Sequence, residues 1–181
     1  MTNAERILGC LDRHLSSHVE LTLYGRAALT LGYSETPEDY ALSHDVDAVL
    51  WMGQAEELNE STNFWKAVAA SNDDLGDAGL YISHFFTEDQ VILLPDWKSN
   101  RVMLPDRWSQ LTLYRLSDLD LLLSKLMRDD AIDQSDARFI IGKASLDRIA
   151  IEQAITRANV PESPEVREQF AIASRRLLDA L

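Results

Sequence analysis

The sequence predicts an α+β protein: a short mixed β-sheet with flanking helices, followed by a helical C-terminal portion. Up to about Leu116, apolar residues recur alternately at spacings of two and of 3.6, so strands and helices interleave. Beyond that point only the helical spacing persists. Composition agrees. Of 181 residues 46% are hydrophobic, with seven Gly and five Pro, which suits a packed core rather than a disordered chain. At about 150 residues per domain, we expect one structural unit, a core over 1–115 with the helical portion 116–181 packed on it.

Taken in order, Ala4 to Ser17 places Ile7, Leu8, Leu11 and Leu15 at helical spacing. Val19 to Tyr24 alternates as a strand and stops at Gly25, and Arg26 to Leu31 is a short helix ended by Gly32. Ser34 to Tyr40, with Pro37, is a loop, and Asp45 to Leu50 is the next strand. Helices are expected near Gln54–Leu58 and after a cap at Ser61 or Thr62, then an acidic turn over Asn72–Gly79. Leu80–Phe86, Gln90–Leu94 and Leu111–Tyr114 read as strands. Ser117 with Asp120 opens a helix carrying Leu119, Leu122, Leu123 and Leu126 on one stripe. Further helices are expected at Asp133–Ile141, at Leu146–Ala158 after Ser145, and at Pro164–Leu178 behind the cap Ser163.

Charge and cysteine content narrow the setting. Thirty acids against 17 bases give a net charge of −13, which repels bulk DNA and favours a basic partner protein or divalent cations. No apolar run approaches the ~20 residues that span a bilayer. The start, Met1 to Arg6, lacks the basic and apolar blocks of a secretion signal. Cys10 stands alone, which rules out an internal disulfide and a zinc cage built of cysteines. A reducing cytoplasm is the expected home.

The sharpest chemical motif is Asp45-Val46-Asp47. Residues i and i+2 of a strand share a face, about 6–7 Å apart, and two carboxylates so placed can bracket a hard cation such as Mg²⁺ or Mn²⁺. The plainer alternative is a pair of solvated acids at a strand start. His44 precedes the pair and can touch either carboxylate. Lys125 lies at the edge of the leucine stripe, where its ammonium can reach a triphosphate or pair with Asp133 and Asp136, which share a face of the next helix. Lys98, Arg101, Arg107 and Arg115 lie among Trp97 and Trp108, a mixture able to clamp a nucleotide or an RNA end unless each charge serves its own loop. His14 and His18 flank the end of the first helix, where a structural role is expected, and Cys10 reads as a small buried hydrophobe.

Tyr24 to Leu29, followed by His44 to Val49, resembles the opening of the nucleotidyltransferase (polymerase-beta-like) superfamily, in which a glycine opens a helix and Asp-x-Asp on the next strand binds metal. Asp118 to Arg128, with Asp133 to Asp136 and Phe139 to Ile141, is similar to the C-terminal signature of the bacterial AbiEii-type branch. Thr87 to Trp97 is similar to a stretch in a related bacterial branch. The resemblance spans about Val19 to Ile155.

The resemblance implies that Asp45 and Asp47 hold Mg²⁺ or Mn²⁺, and that Gly25 and Arg26 lie against the nucleotide phosphates. Lys125 would neutralise triphosphate charge, and Asp133 would be a further acid at the site. The implied activity is transfer of a nucleotide from a nucleoside triphosphate to an RNA or protein hydroxyl, in a toxin–antitoxin or phage-defence setting with an antitoxin-like partner. Two departures open an alternative, a catalytically inactive relative that binds a nucleotide or a partner protein. Arg26 stands where the family has serine or a second glycine. The strand Tyr81–Phe86 offers only His84 where many relatives carry a third carboxylate, and neutral imidazole is a poor magnesium ligand.

Overall fold

The computed structural model describes residues 1–181. The elements run α1 (Asn3–His14), β1 (Val19–Tyr24), α2 (Gly25–Gly32), β2 (Asp45–Leu50), α3 (Met52–Glu60), α4 (Thr62–Leu75), β3 (Tyr81–Thr87), β4 (Val102–Met103) and β5 (Leu111–Arg115). Four helices close the chain: α5 (Asp118–Lys125), α6 (Ala131–Ala144), α7 (Arg148–Arg157) and α8 (Pro164–Asp179). The five strands form one mixed sheet in the order β3-β2-β1-β5-β4. The fold class is therefore α+β, a mixed sheet flanked by helices and followed by helices alone.

Pairing follows from connection length. β1 and β2 are antiparallel, whereas β3 lies parallel to β2 because α3 and α4 supply the long crossover that parallel neighbours need. β5 joins the other side of β1 in parallel, and the two-residue β4 pairs antiparallel at its outer edge. β1 is central, so Leu21, Thr22 and Leu23 are all buried.

Two compact units share the chain. The first holds Met1–Thr87 and Arg101–Arg115, the whole sheet with α1 to α4. The second holds Glu88–Asn100 and Leu116–Leu181. The break at Leu116 is where the hydrophobic period changes, but Glu88–Asn100, read from sequence as part of the core, belongs with the helices.

Within the first unit α1 is started by a reciprocal cap: the Glu5 N–H donates to Thr2 Oγ1 at 3.2 Å and the Thr2 N–H to Glu5 Oε2 at 2.7 Å. α1 packs on α4, contributing Ile7, Leu8 and Leu11 to the core. Arg115, at the end of β5, is buried with its guanidinium 4.6 Å above the Tyr33 ring. Its stem occupies the space beside Gly32, where an added Cβ would meet Arg115 Cδ at 2.2 Å.

In the second unit Ser117 caps α5 by accepting the Asp120 N–H. Asp120, fully buried, accepts the Leu94 N–H at 2.7 Å and the Ser117 hydroxyl at 2.5 Å. The bond from Leu94, and a bridge between Leu93 and Asn159, anchor the end of the 90–94 stretch. Gln90–Leu94 is thus not the expected strand. Its apolar run reports burial beside helices, and no sheet neighbour is present for it.

Two further expectations are corrected, and one strand is added. α4 runs through Asn72 to Leu75 instead of yielding to a turn at Asn72, with Ser61 as its cap. Ser145 ends α6 in the left-handed region at φ +51°, and Asp147 caps α7 by accepting the Ala150 N–H at 2.7 Å. β4 carries no sequence signal, since Val102 and Met103 are both exposed. No helix is long and apolar enough to cross a membrane.

Candidate functional site

Tyr24 ends β1 directly opposite Asp47 of β2. The chain must then reverse into α2 within one residue, and Gly25 does so at φ +67°, a conformation that costs a side-chain-bearing residue about 1–2 kcal/mol. The helix start consequently lies beside Asp47: a Cβ added to Gly25 would sit 3.6 Å from Asp47 Oδ2. The N-cap residue Tyr24 makes no side-chain hydrogen bond to this N-terminus.

Strand alternation puts Asp45 and Asp47 on one half-buried face of β2, while Val46 and Ala48 enter the core on the other. Ser43 Oγ donates to Asp45 Oδ1 at 3.2 Å. Asp47 Oδ1 is closed off from solvent with no hydrogen-bond donor in place. The His84 ring stands beside it, with Nδ1 3.9 Å from that oxygen.

The β2–β3 register explains this neighbourhood. Val46 pairs with Ile82 but Ala48 with Phe85, so Ser83 and His84 together oppose Asp47. This is a β-bulge, a device that re-aims side chains. The Ser83 hydroxyl bonds to the His84 ring. Burial pushes the Asp47 pKa up and the negative charge of Asp45 adds to it. The Ser83 hydroxyl, the His84 imidazole and the His84 N–H act in the opposite sense without cancelling the rise. Tyr24, Phe86 and His84 form an aromatic row alongside, with ring centroids 5.7 Å apart for Tyr24–Phe86 and 5.2 Å for His84–Phe86. Two carboxylates, a half-buried helix start and flat apolar faces are the parts a phosphate-bearing aromatic ligand requires.

Two of the other expected residues in this unit point elsewhere. Arg26 donates to Asp39 Oδ2 at 3.0 Å and stacks 4.6 Å above the Tyr40 ring. His44 Nδ1 lies 3.3 Å from the Gly79 carbonyl rather than on a carboxylate.

Lys125, Asp133 and Asp136 come together in the helical unit. The Lys125 ammonium donates to Asp136 Oδ2 at 2.8 Å and Asp133 Oδ1 at 3.3 Å, and all three side chains are at most 7% exposed. Arg128 adds two bonds to Asp133, at 3.0 and 3.2 Å. Of the two uses open to Lys125 from sequence, this arrangement is the ion-pair network.

The basic stretch does not assemble into a clamp. Arg101 binds Glu20 Oε1 at 2.7 Å and Thr22 Oγ1 at 3.1 Å and stacks on Tyr114 and Trp51. Arg107 binds Glu5 at 2.6 Å, Arg115 is buried, and Trp97 is buried with its Nε1 donating to Glu88 at 2.9 Å. Neighbours in sequence have gone to separate partners.

Ser43 and Ser83 were not foreseen. A regular period of two puts Ser83 and His84 on opposite faces, and only the bulge gathers them at Asp47. No family model, curated protein or solved structure matches the chain.

Proposed function

We propose that the protein is a Mg²⁺- or Mn²⁺-dependent nucleotidyltransferase that moves a nucleotide from a nucleoside triphosphate to an RNA or protein hydroxyl. One observation carries the reading: Asp45 and Asp47 share a half-buried strand face beside the glycine-started α2. The fit to a hard cation rests on Asp47 Oδ1, a buried carboxylate oxygen with no donor. Oxygen-only donors suit Mg²⁺, which binds through one or two carboxylates and keeps its other positions for water and phosphate.

When bound, such a cation neutralises phosphate oxygens and aligns them for in-line displacement. The chain's own residues do the rest. Asp45 and Asp47 hold the cation, and Ser43 orients the Asp45 carboxylate. The first-turn N–H groups of α2 receive phosphate oxygens. Gly25 allows close approach because nothing projects from its Cα, and the Tyr24 and Phe86 rings offer a face to the base. Lys125 is not used in this reading, because its ammonium is held by Asp133 and Asp136. The toxin–antitoxin or phage-defence setting and an antitoxin-like partner follow from the AbiEii-type resemblance, and a net charge of −13 favours a basic partner.

A second reading has its own support: an inactive protein of this kind that binds a nucleotide or a partner. Ser83 and His84 stand where a third carboxylate would complete the metal set, and Arg26 is held by Asp39 and Tyr40. The deciding experiment incubates wild type and Asp45→Ala with each labelled triphosphate, RNA and Mg²⁺. Transfer predicts label incorporation that the variant loses. Mg²⁺-dependent binding without incorporation leaves the inactive nucleotide-binding reading, and absence of any Mg²⁺-dependent nucleotide binding overturns transfer and nucleotide binding alike, leaving only a partner protein as the ligand.

A further inference from the structure

We propose that Cys10, His14 and Asp74 form a binding site for a borderline divalent cation, with Zn²⁺ the best fit. Cys10 and His14 are four residues apart on α1, so they lie one above the other on a single helix face. Asp74 comes from the last turn of α4, which packs on α1. The three side chains converge on one point. His14 Nε2 lies 2.9 Å from Asp74 Oδ2, Cys10 Sγ lies 3.8 Å from the same oxygen, and all three donor atoms fall within 4.8 Å of one another.

A tetrahedral ion with ligands at 2.0–2.3 Å spaces its donors about 3.3–3.6 Å apart. The observed separations bracket that value, and two of the groups are free to adjust. The side chains of His14 and Asp74 are 32% and 57% exposed, whereas Cys10 is buried and anchors the arrangement. Hydrogen bonding alone makes poor use of the trio, because a thiol is a weak donor and Cys10 approaches both Asp74 and the Ser71 carbonyl only at 3.8–3.9 Å.

Sulfur, imidazole nitrogen and carboxylate oxygen together are a zinc donor set. Three protein ligands leave a fourth position, and a cavity of about 180 Å³ bordered by Glu5, Gly9, Cys10, Arg13 and Asp74 gives water access to it. The site is chemically distinct from the carboxylate pair of β2. Soft and borderline donors select Zn²⁺ or Co²⁺ here, whereas oxygen alone selects Mg²⁺ there. The two inferences therefore stand or fall separately.

The test is titration of the full chain with Co²⁺ in a non-thiol reductant, read by optical absorption. The expected result is a thiolate-to-cobalt charge-transfer band that saturates at one equivalent and is bleached by Zn²⁺. Cys10→Ser abolishes it, and His14→Ala and Asp74→Asn, at exposed positions that spare the core, each weaken binding by about tenfold or more. Asp45→Ala keeps the band. Absence of the band in wild type overturns the site, as does a band indifferent to His14→Ala and Asp74→Asn.

Discussion

Each unit of this protein holds a pair of aspartates, and the two pairs differ in what neutralises them. Asp133 and Asp136, in the helical unit, are buried with a permanent counter-charge. Lys125 bonds to both, and Arg128 grips Asp133 with two more bonds. Asp45 and Asp47, in the sheet unit, lie in a half-buried position with no Lys or Arg bridged to them, only an imidazole 3.9 Å from Asp47. The first pair is closed on itself and contributes to structure. The second is charge-deficient and suited to a cation from solution. Identical side chains at nearly the same spacing thus differ by what their neighbours supply.

The largest expected effect is on the closed pair. Lys125→Met removes the one buried ammonium that bonds to both carboxylates and should lower unfolding free energy by about 3–5 kcal/mol in urea titrations. Replacing the acids as well, with Asp133→Asn and Asp136→Leu in the same chain, should restore most of that loss. A cost below about 1 kcal/mol for Lys125→Met would erase the contrast between the pairs.

Next in size is the response of the open pair to metal. Saturating Mg²⁺, at about a hundredfold excess over its dissociation constant, should stabilise wild type by about 2.7 kcal/mol, and Asp47→Asn should remove that gain. Without metal the sign reverses. The folded-state pKa of Asp47 is raised by burial and by Asp45. Its stability contribution is therefore fully present below the ordinary carboxylate pKa and lost as pH rises through the folded value. Metal-free Asp47→Asn should accordingly melt above wild type at neutral pH, and the gap should close in acid.

Smallest is Gly25→Ala. The added methyl meets Asp47 Oδ2 at an ordinary 3.6 Å, so the cost is that of the backbone alone at φ +67°, about 1–2 kcal/mol by denaturant midpoint. A larger loss would mean that the helix start and the carboxylate are coupled more tightly than their contact indicates.

Much of the open site was legible in sequence because strand and helix periods are local. Alternation over Val19–Tyr24 and Asp45–Leu50, broken by one glycine, places Gly25, Asp45 and Asp47 without any knowledge of tertiary structure. The closed pair was legible too, since a spacing of three sets Asp133 and Asp136 on one face within reach of Lys125. What failed was long-range. Arg101, Arg107 and Arg115 look like a patch in sequence, yet their partners Glu20, Glu5 and Tyr33 come from β1, α1 and the end of α2. The apolar run at Val91–Leu94 gives no hint that Asp120 and Asn159 will bind its backbone. The meeting of Cys10 and His14 with Asp74 depends on α1 lying against α4, which no periodicity encodes.

The bulge at Ser83 and His84 has a second outcome, unrelated to the surroundings of Asp47. β3 forms one border of the sheet, and a straight border strand of seven residues would offer a foreign chain an unbroken ladder of amide donors and acceptors to zip onto. The extra residue throws that ladder out of step midway. The irregularity that gathers polar groups around Asp47 thereby also guards the molecule against sticking to its own copies.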